Sequence, residues 1–374
     1  MKIVLLGPTY PFKGGIAHYT TLLYRALQER HRVKFYSFTR QYPAWLYPGS
    51  SDRDPSTLPI EEPGAVPMLD PLNPISWWRV ARAITLDDPD LIVFPWWVPF
   101  WAPVFWAIIR LAHRKVDAPV LFLCHNVLPH EESRLAALLS RAALRQGDYF
   151  LVHSSQERQK LIEMFPLALV KQHPHPTYAV FGDAATTRVE SRTALGLRGD
   201  IVLFFGFVRE YKGLRYLFQA LPAVLKEHPV TLLVVGEFWN DAGEYVQLAN
   251  QLGIREHVRI IDTYVPNEEV ASYFLAADLV VLPYATATGS GVAQIALGLE
   301  RPIIVTDLPG LAELVEDGVT GLIVPPGDSA SLARAILRFL RGFDREQCQR
   351  SIALRNEAFS WQRMVEAIES FDQG

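Results

Sequence analysis

Cysteine is nearly missing from this chain. Its 374 residues hold two, Cys124 and Cys348, far apart and in no C-x-x-C pair, which excludes a disulfide scaffold and a zinc ribbon. Usage this low fits a reducing compartment. An excess of one charge is missing too. Lys+Arg number 36 against 40 Asp+Glu, a formal −4, which excludes a generally basic nucleic-acid binder. A run fit to cross a membrane is missing as well. Leu91–Ile109 is 19 residues without a charge, but Asp90 and Arg110 bound it and Pro95, Pro99 and Pro103 interrupt it. Such prolines break a spanning helix, so a buried strand, a turn and an apolar helix over about Pro103–His113 are expected instead. The opening Ile3-Val4-Leu5-Leu6 is too short for a signal-peptide core and reads as a first buried strand. His130, His153, His173 and His175 lack the spacing of a metal set, so no metal site is expected.

What is present is apolar bulk, unevenly arranged. Apolar residues make up 49% and charged residues 20%, enough for sizeable cores, and the length suits two domains. Residues 1–187 hold 19 basic and 16 acidic side chains, whereas 188–374 hold 17 and 24. Seven of nine tryptophans lie in the first 106 residues: Trp45, Trp77, Trp78, Trp96, Trp97, Trp101 and Trp106.

Short apolar runs alternate with longer amphipathic ones. Strands are expected at Lys2–Leu6, Arg32–Phe38, Asp90–Phe94, Val120–Leu123 and Tyr149–Val152. A second set is expected at Ile201–Phe205, Thr231–Val235, Arg259–Ile261, Leu279–Leu282 and Pro302–Val305. Continuously apolar strands belong to parallel sheets covered by helices. Helices are expected at Tyr19–Arg30, Leu214–Lys226, Asp241–Gln251 and Leu332–Arg341. The alternation occurs twice and lapses near Gly182–Arg198, which predicts an α/β protein of two doubly wound domains. Gln41–Trp78 carries eight prolines, among them Pro43, Pro48, Pro55 and Pro59, with Trp45, Tyr47, Trp77 and Trp78 in or beside it. It reads as a long Pro-stiffened excursion, a binding loop or a surface linker.

Four local patterns carry chemistry. Gly14-Gly15 follows the first strand after a turn and opens a helix, where bare backbone N–H groups can meet an anion; a tight turn explains the pair equally well. Arg209 and Lys212 follow the strand Ile201–Phe205, at the edge where open α/β sheets bind ligands, and both can face one diphosphate. Two solvated charges are the plain alternative. Thr288-Gly289-Ser290-Gly291 opens an apolar helix near Val292 and offers free N–H donors. The order G-S-G is not a nucleophile elbow, so Ser290 is a poor nucleophile, and Gln294 stands where a dinucleotide fingerprint needs glycine. His125-Asn126 ends the strand Val120–Leu123, placed to touch a ligand or to serve structure.

In order and spacing these phrases resemble the family-4-type retaining glycosyltransferases of the GT-B fold (the group 1 glycosyltransferases). The resemblance covers nearly the whole chain. It is carried by Lys2–Gly7 with Gly14-Gly15, His125-Asn126, Gly206-x-x-Arg209-x-x-Lys212-Gly213 and Val234-Val235-Gly236-Glu237. Ala276–Pro283, Gly289-Ser290-Gly291, and Pro302–Thr306 through Gly318–Asp328 continue it. It implies two Rossmann-like doubly wound domains facing across a cleft. These would be an acceptor-binding domain over 1–187, a donor-binding domain over 188–355, and a C-terminal helix over 356–374, near Phe359-Ser360-Trp361, returning to the first domain. Arg209 and Lys212 match the family's donor-diphosphate pair and His125 the histidine near the transferred sugar. Gly14, Gly15, Gly236, Thr288, Gly289, Ser290 and Gly291 match donor-binding backbone, and Tyr264-Val265 the nucleobase contact.

The resemblance further implies hexosyl transfer with retention, from a UDP- or GDP-sugar to a glycan or lipid-linked acceptor, without metal. The nucleotide sugar is a substrate, so no cofactor is expected. One departure stands out. The family's E-x7-E acids are absent: Thr288 holds the first position, and Gln294 or Ile295 the second, with Gln294 placed to bond the ribose. That departure keeps open a second reading, a catalytically silent sugar-nucleotide-binding module; a third, a sugar-nucleotide epimerase of the same architecture, has the lack of an acid/base carboxylate pair in the glycine loop against it. The aromatic, slightly basic N-terminal half suits peripheral membrane contact, and a cytoplasmic location at the inner membrane face is expected.

Overall fold

The structure, a computed structural model, describes residues 1–43, 45, 51–128, 134–182, 186–239 and 241–371. Tyr47, Pro48 and His130 lie outside the described residues. The chain divides into two compact units, one of Met1–Pro55, Pro59–Pro174 and Trp361–Gly374, the other of Ser56–Leu58 and His175–Ser360.

The first unit runs β1 (Lys2–Leu6), α1 (Gly15–Gln28), β2 (Arg32–Phe38), β3 (Ala65–Leu69), α2 (Pro74–Asp87), β4 (Leu91–Trp96) and α3 (Ala102–Ala112). It continues with β5 (Val120–Cys124), α4 (Arg134–Leu144), β6 (Tyr149–Val152), α5 (Ser155–Met164) and β7 (Leu169–Gln172). The seven strands are parallel, in the order β3-β2-β1-β4-β5-β6-β7. Side chains alternate across the sheet, and both faces are covered. Val4, Leu6, Ile92, Phe94, Trp96 and Phe122 join one core with α2, α3 and α4. Ile3, Leu5, Val93, Leu121 and Leu123 join the other with α1. Leu91–Ile109 is therefore β4, a short 3-10 turn and α3, and no helix among the described residues is long and apolar enough to cross a membrane.

The second unit runs α6 (Arg188–Leu195), β8 (Asp200–Phe205), α7 (Leu214–Leu225), β9 (Val230–Val235), α8 (Ala242–Gln251), β10 (Val258–Ile261) and α9 (Asn267–Ala276). Then come β11 (Leu279–Leu282), α10 (Gly291–Gly298), β12 (Ile303–Thr306), α11 (Pro309–Ala312), β13 (Gly321–Val324), α12 (Ser329–Gly342) and α13 (Arg345–Asn356). Its six parallel strands are ordered β10-β9-β8-β11-β12-β13. The last helix, α14 (Trp361–Glu369), belongs to the first unit. There Met364, Val365 and Ile368 pack with Tyr19 and Leu23, and Glu369 pairs with Arg30 at 2.9 Å. The sequence boundary at 187/188 falls at the N-cap of α6. The compact unit begins earlier, at His175, because Thr177 N–H donates to Phe359 O and Tyr178 N–H to Gln294 O.

Two sequence expectations are corrected. The lapse at Gly182–Arg198 contains α6, which buries only Ser191 and so shows no apolar stripe. Its signal is instead a capping box between Thr187 and Glu190, with Gly196 left-handed at the end. The excursion Gln41–Trp78 is shorter than expected. It contains β3, and Asn73 caps α2, accepting from Ile75 N–H at 3.1 Å, so Trp77 and Trp78 are helical. Part of the rest is anchored at both ends. Lys13 N–H donates to Asp52 O and Asp54 N–H to Pro11 O in the first unit. In the second unit, Asn267 N–H donates to Ser56 Oγ at 2.8 Å, and Thr57 donates to Glu268 Oε1 from N–H at 2.9 Å and from Oγ1 at 2.6 Å.

Asp278 holds the base of the second sheet. Its fully buried carboxylate accepts from Ile201 N–H at 2.7 Å, Arg192 at 2.6 Å and Arg345 at 2.9 Å, and also pairs with Arg188. Asp278→Ala would leave three guanidinium groups without their shared anion. The expected loss is about 3 kcal/mol, read as a lowered unfolding midpoint in urea; an unchanged midpoint would remove Asp278 from the account of stability.

Candidate functional site

In the second unit the chemistry gathers beyond the C-terminal ends of β8 and β9. Pairing continues past the strands. Gly206 N–H donates to Val235 O, Val208 N–H to Glu237 O and Trp239 N–H to Val208 O. This zipper needs two glycines. A Cβ on Gly236, at φ 146, would lie 2.1 Å from Gly206 O, and one on Gly206, at φ 95, would lie 3.2 Å from Lys212 Nζ. Glycine here is required by close backbone approach and by room for an ammonium group.

The zipper sets Arg209 beside Trp239. The guanidinium carbon is 4.5 Å from the Trp239 ring centroid and 5.1 Å from that of Tyr211. Phe207 sits 5.4 Å from Trp239 and 6.0 Å from Tyr264. Arg209 therefore lies at one end of an aromatic row, with Tyr264 at the other and Val265 buried beside it. Lys212 is buried, its ammonium 5.8 Å from the Tyr284 ring. Burial, reinforced by the Arg209 charge, lowers its pKa to about 7.

The glycine loop follows β11 in the same unit. Ser290 Oγ accepts from Ala293 N–H at 3.2 Å as the cap of α10 and lies 3.2 Å from Tyr284 Oη. Its hydroxyl is thus occupied structurally, in line with its poor standing as a nucleophile. A Cβ on Gly289 would meet nothing within 4 Å, and one on Gly291 only the Tyr178 ring at 3.7 Å. Thr288 is buried. Gln294 is buried one turn into α10, and its Oε1 has no hydrogen-bond partner among the described residues. A buried amide oxygen in that state is costly unless a ligand donor satisfies it.

The first unit holds the remaining residues. Gly14 caps α1 at φ 107, and a Cβ on Gly14 or Gly15 would meet nothing within 4 Å. His125 directly follows β5, its N–H donating to Trp96 O at 2.8 Å. Its ring lies edge-on to Tyr19 at 4.4 Å and 5.1 Å from His153, whose Nδ1 is 3.0 Å from His173 O. Sequence reasoning missed Phe207, Trp239 and Tyr284, which build the surroundings of Arg209 and Lys212. Their only signal is aromatic character within a few residues of a strand's C-terminal end. Among the described residues no group of three or more His, Cys, Asp or Glu is arranged to hold a metal.

Comparison with known proteins agrees with this layout. The family described as "Glycosyl transferases group 1" matches residues 199–342, and the "Glycosyl transferase 4-like domain" matches 14–177. Spore coat protein SA of Bacillus subtilis is 30% identical over 292 residues, 73% of this chain and 75% of that protein. The chain belongs to the group 1, family-4-type glycosyltransferases. A D-inositol 3-phosphate glycosyltransferase of Catenulispora acidiphila is 30% identical over 240 residues, 61% of this chain. Against several such glycosyltransferases this chain spans only 56–60% of their length. The Anabaena HepE protein, solved in complex with UDP, superimposes with a TM-score of 0.73 at 20% identity, covering 99% of this chain and 100% of that one. The fold of this glycosyltransferase-family chain is thus GT-B.

The buried ammonium has a consequence for stability. Lys212 has a folded pKa of about 7, and an unfolded lysine one of about 10.4. The unfolded chain therefore binds more protons between those values, and stability rises with pH across that window. Lys212→Met should raise the melting temperature at pH 7, by a margin that shrinks as pH approaches 10. A margin that does not change with pH would show that Lys212 is not a desolvated cation.

Proposed function

We propose that this protein transfers a hexosyl unit from a UDP- or GDP-sugar to a glycan or lipid-linked acceptor, with retention of configuration and without metal. The observation that carries the reading is the cationic pair after β8. Arg209 is held against Trp239, and Lys212 is buried beside it. Negative charge develops on a departing nucleoside diphosphate, and fixed cations in a desolvated setting stabilise that charge more than they stabilise the bound ground state. A nucleotide diphosphate also favours the charged form of Lys212, so the ligand and the ammonium support one another. Two protein cations supply the charge that a divalent ion otherwise provides.

The glycine loop suits the rest of the donor. The open space at Gly289 admits a ligand close to backbone N–H groups. The unpaired Gln294 Oε1 fits a hydroxyl donor such as a ribose, which gives this amide the place of the missing carboxylate. Tyr264, Val265 and Gly236 suit the nucleoside end. UDP bound to HepE, a protein of the same fold, supports a nucleotide donor. In the first unit, His125 stands at the end of β5 and Gly14-Gly15 at the start of α1, and the reading gives them contact with the transferred sugar and with phosphate. The same unit serves the acceptor and makes peripheral contact with a membrane, which suits an enzyme working at the inner, cytoplasmic face.

The test is turnover of a UDP- and GDP-sugar panel, with and without candidate acceptors, followed as released nucleotide. Arg209→Ala should lower kcat by about a hundredfold or more, and a chelator should leave the wild-type rate unchanged. Wild-type turnover in Arg209→Ala, or loss of activity on chelation, overturns the assignment.

A further inference from the structure

The first unit leaves one of its surfaces chemically unbalanced. α2, α3 and α4 lie on the same face of the sheet, where Val80, Phe105 and Leu144 enter one core. Their outward sides are the reverse of an ordinary solvated helix face. On α2 the exposed stripe is Ile75, Trp78, Arg79, Arg82 and Leu86, at helical spacing. On α3 it is Pro103, Trp106 and Arg110, and on α4 Arg134, Leu135, Leu138 and Arg141. Trp78 is 49% exposed and Trp106 45%. The two tryptophans are built alike: each has an arginine one turn on, with Arg82 5.5 Å from the Trp78 ring and Arg110 5.8 Å from the Trp106 ring.

Acid is scarce in the described residues of these helices. The three helices contain a single carboxylate, Asp87, which is half-buried and accepts from Tyr36 Oη at 2.5 Å. Beyond α4 the pattern continues into a groove of about 420 Å³ lined by Arg141, Arg145, Leu144, Phe150 and Phe165, with the Arg141 guanidinium carbon 5.9 Å from the Phe165 ring. Leu167, also lining the groove, is 98% exposed. The neighbouring α5, by contrast, is a polar helix that exposes Gln156, Gln159 and Glu163.

We infer that the outward face of α2, α3 and α4 docks on an anionic lipid bilayer. The inference sharpens the membrane contact in the reading above and rests on it, but its test does not require turnover. Tryptophan rings settle at the headgroup level, where one edge is apolar and the other wet. An arginine beside each ring meets lipid phosphate at that depth. Cations with few carboxylates among them gain from the negative surface potential of such a bilayer. The exposed Ile75, Leu86, Leu135 and Leu138 reach the acyl boundary shallowly, as interfacial helices do. In the groove, the two arginines and the apolar lining match a phosphate joined to an acyl chain.

The full chain should sediment with vesicles of equimolar phosphatidylcholine and phosphatidylglycerol at low salt. It should not sediment with phosphatidylcholine alone, and it should be released by high salt. Arg82→Glu with Arg110→Glu should lower partition roughly tenfold or more. Trp78→Ala with Trp106→Ala should also weaken it, while Arg158→Glu on α5 should bind as wild type. All these side chains are exposed, and matching melting curves confirm folded variants. Failure to bind the anionic vesicles, or wild-type binding by both double variants, overturns the inference. So does self-association that Trp78→Ala with Trp106→Ala abolishes while vesicles are ignored. Vesicle binding without turnover of any nucleotide sugar leaves the docking face standing and removes only the proposed reaction.

Discussion

Both units obey one constraint: a parallel sheet covered on both faces has no free side chain to give to chemistry. Val4 and Ile3 enter opposite cores, as do Phe94 and Val93. In the central strands β4, β5, β11 and β12 every residue is buried. Function is left to the backbone just beyond the C-terminal strand ends and to the helix starts that follow. His125 comes directly after β5, and the Gly206–Lys212 segment directly after β8. The residues matched to the family by sequence thus fall where the sheets permit chemistry at all.

The same constraint explains the condition of Lys212. A segment leaving a buried strand can carry a charge away from water only if neighbours leave room and withhold solvent. Gly206 leaves the room, and Tyr284 forms an apolar wall. The cost appears as a depressed pKa. Arg209 takes the other solution: its planar guanidinium lies against the Trp239 ring, an aromatic face that suits a delocalised cation. The two cations stand three residues apart, and a diphosphate can exploit both.

Much of this fold was legible because strand burial leaves a direct trace. β1, β2, β6 and β11 fall within the expected limits to the residue, and both sheets were expected. Elements that bury little were not legible. α6 faces mostly solvent, β7 buries no residue fully, and β3 carries Pro67 in an edge strand. Among the candidate site residues, sequence shows which are present but not what surrounds them. The Arg209–Trp239 contact joins loops after two adjacent strands, and the unpaired Gln294 Oε1 emerges only once α10 is packed. Both depend on tertiary closeness, which local pattern does not encode.

Four of the seven N-terminal tryptophans form two populations with different physics. Trp96 and Trp101 are fully buried, and Trp101 stacks on Phe38 and Phe105. They fill the large space between the sheet and its helices, where aromatic area yields the most burial. Trp78 and Trp106 belong to the same helical layer but point the other way. A packed core has no use for them there, and leaving them in water forfeits the gain from burying their rings. Their paired arginines and the scarcity of carboxylates make that arrangement consistent with a surface that is apolar and anionic at once. The tryptophans of this layer therefore carry two signals, one for its inside and one for what it meets outside.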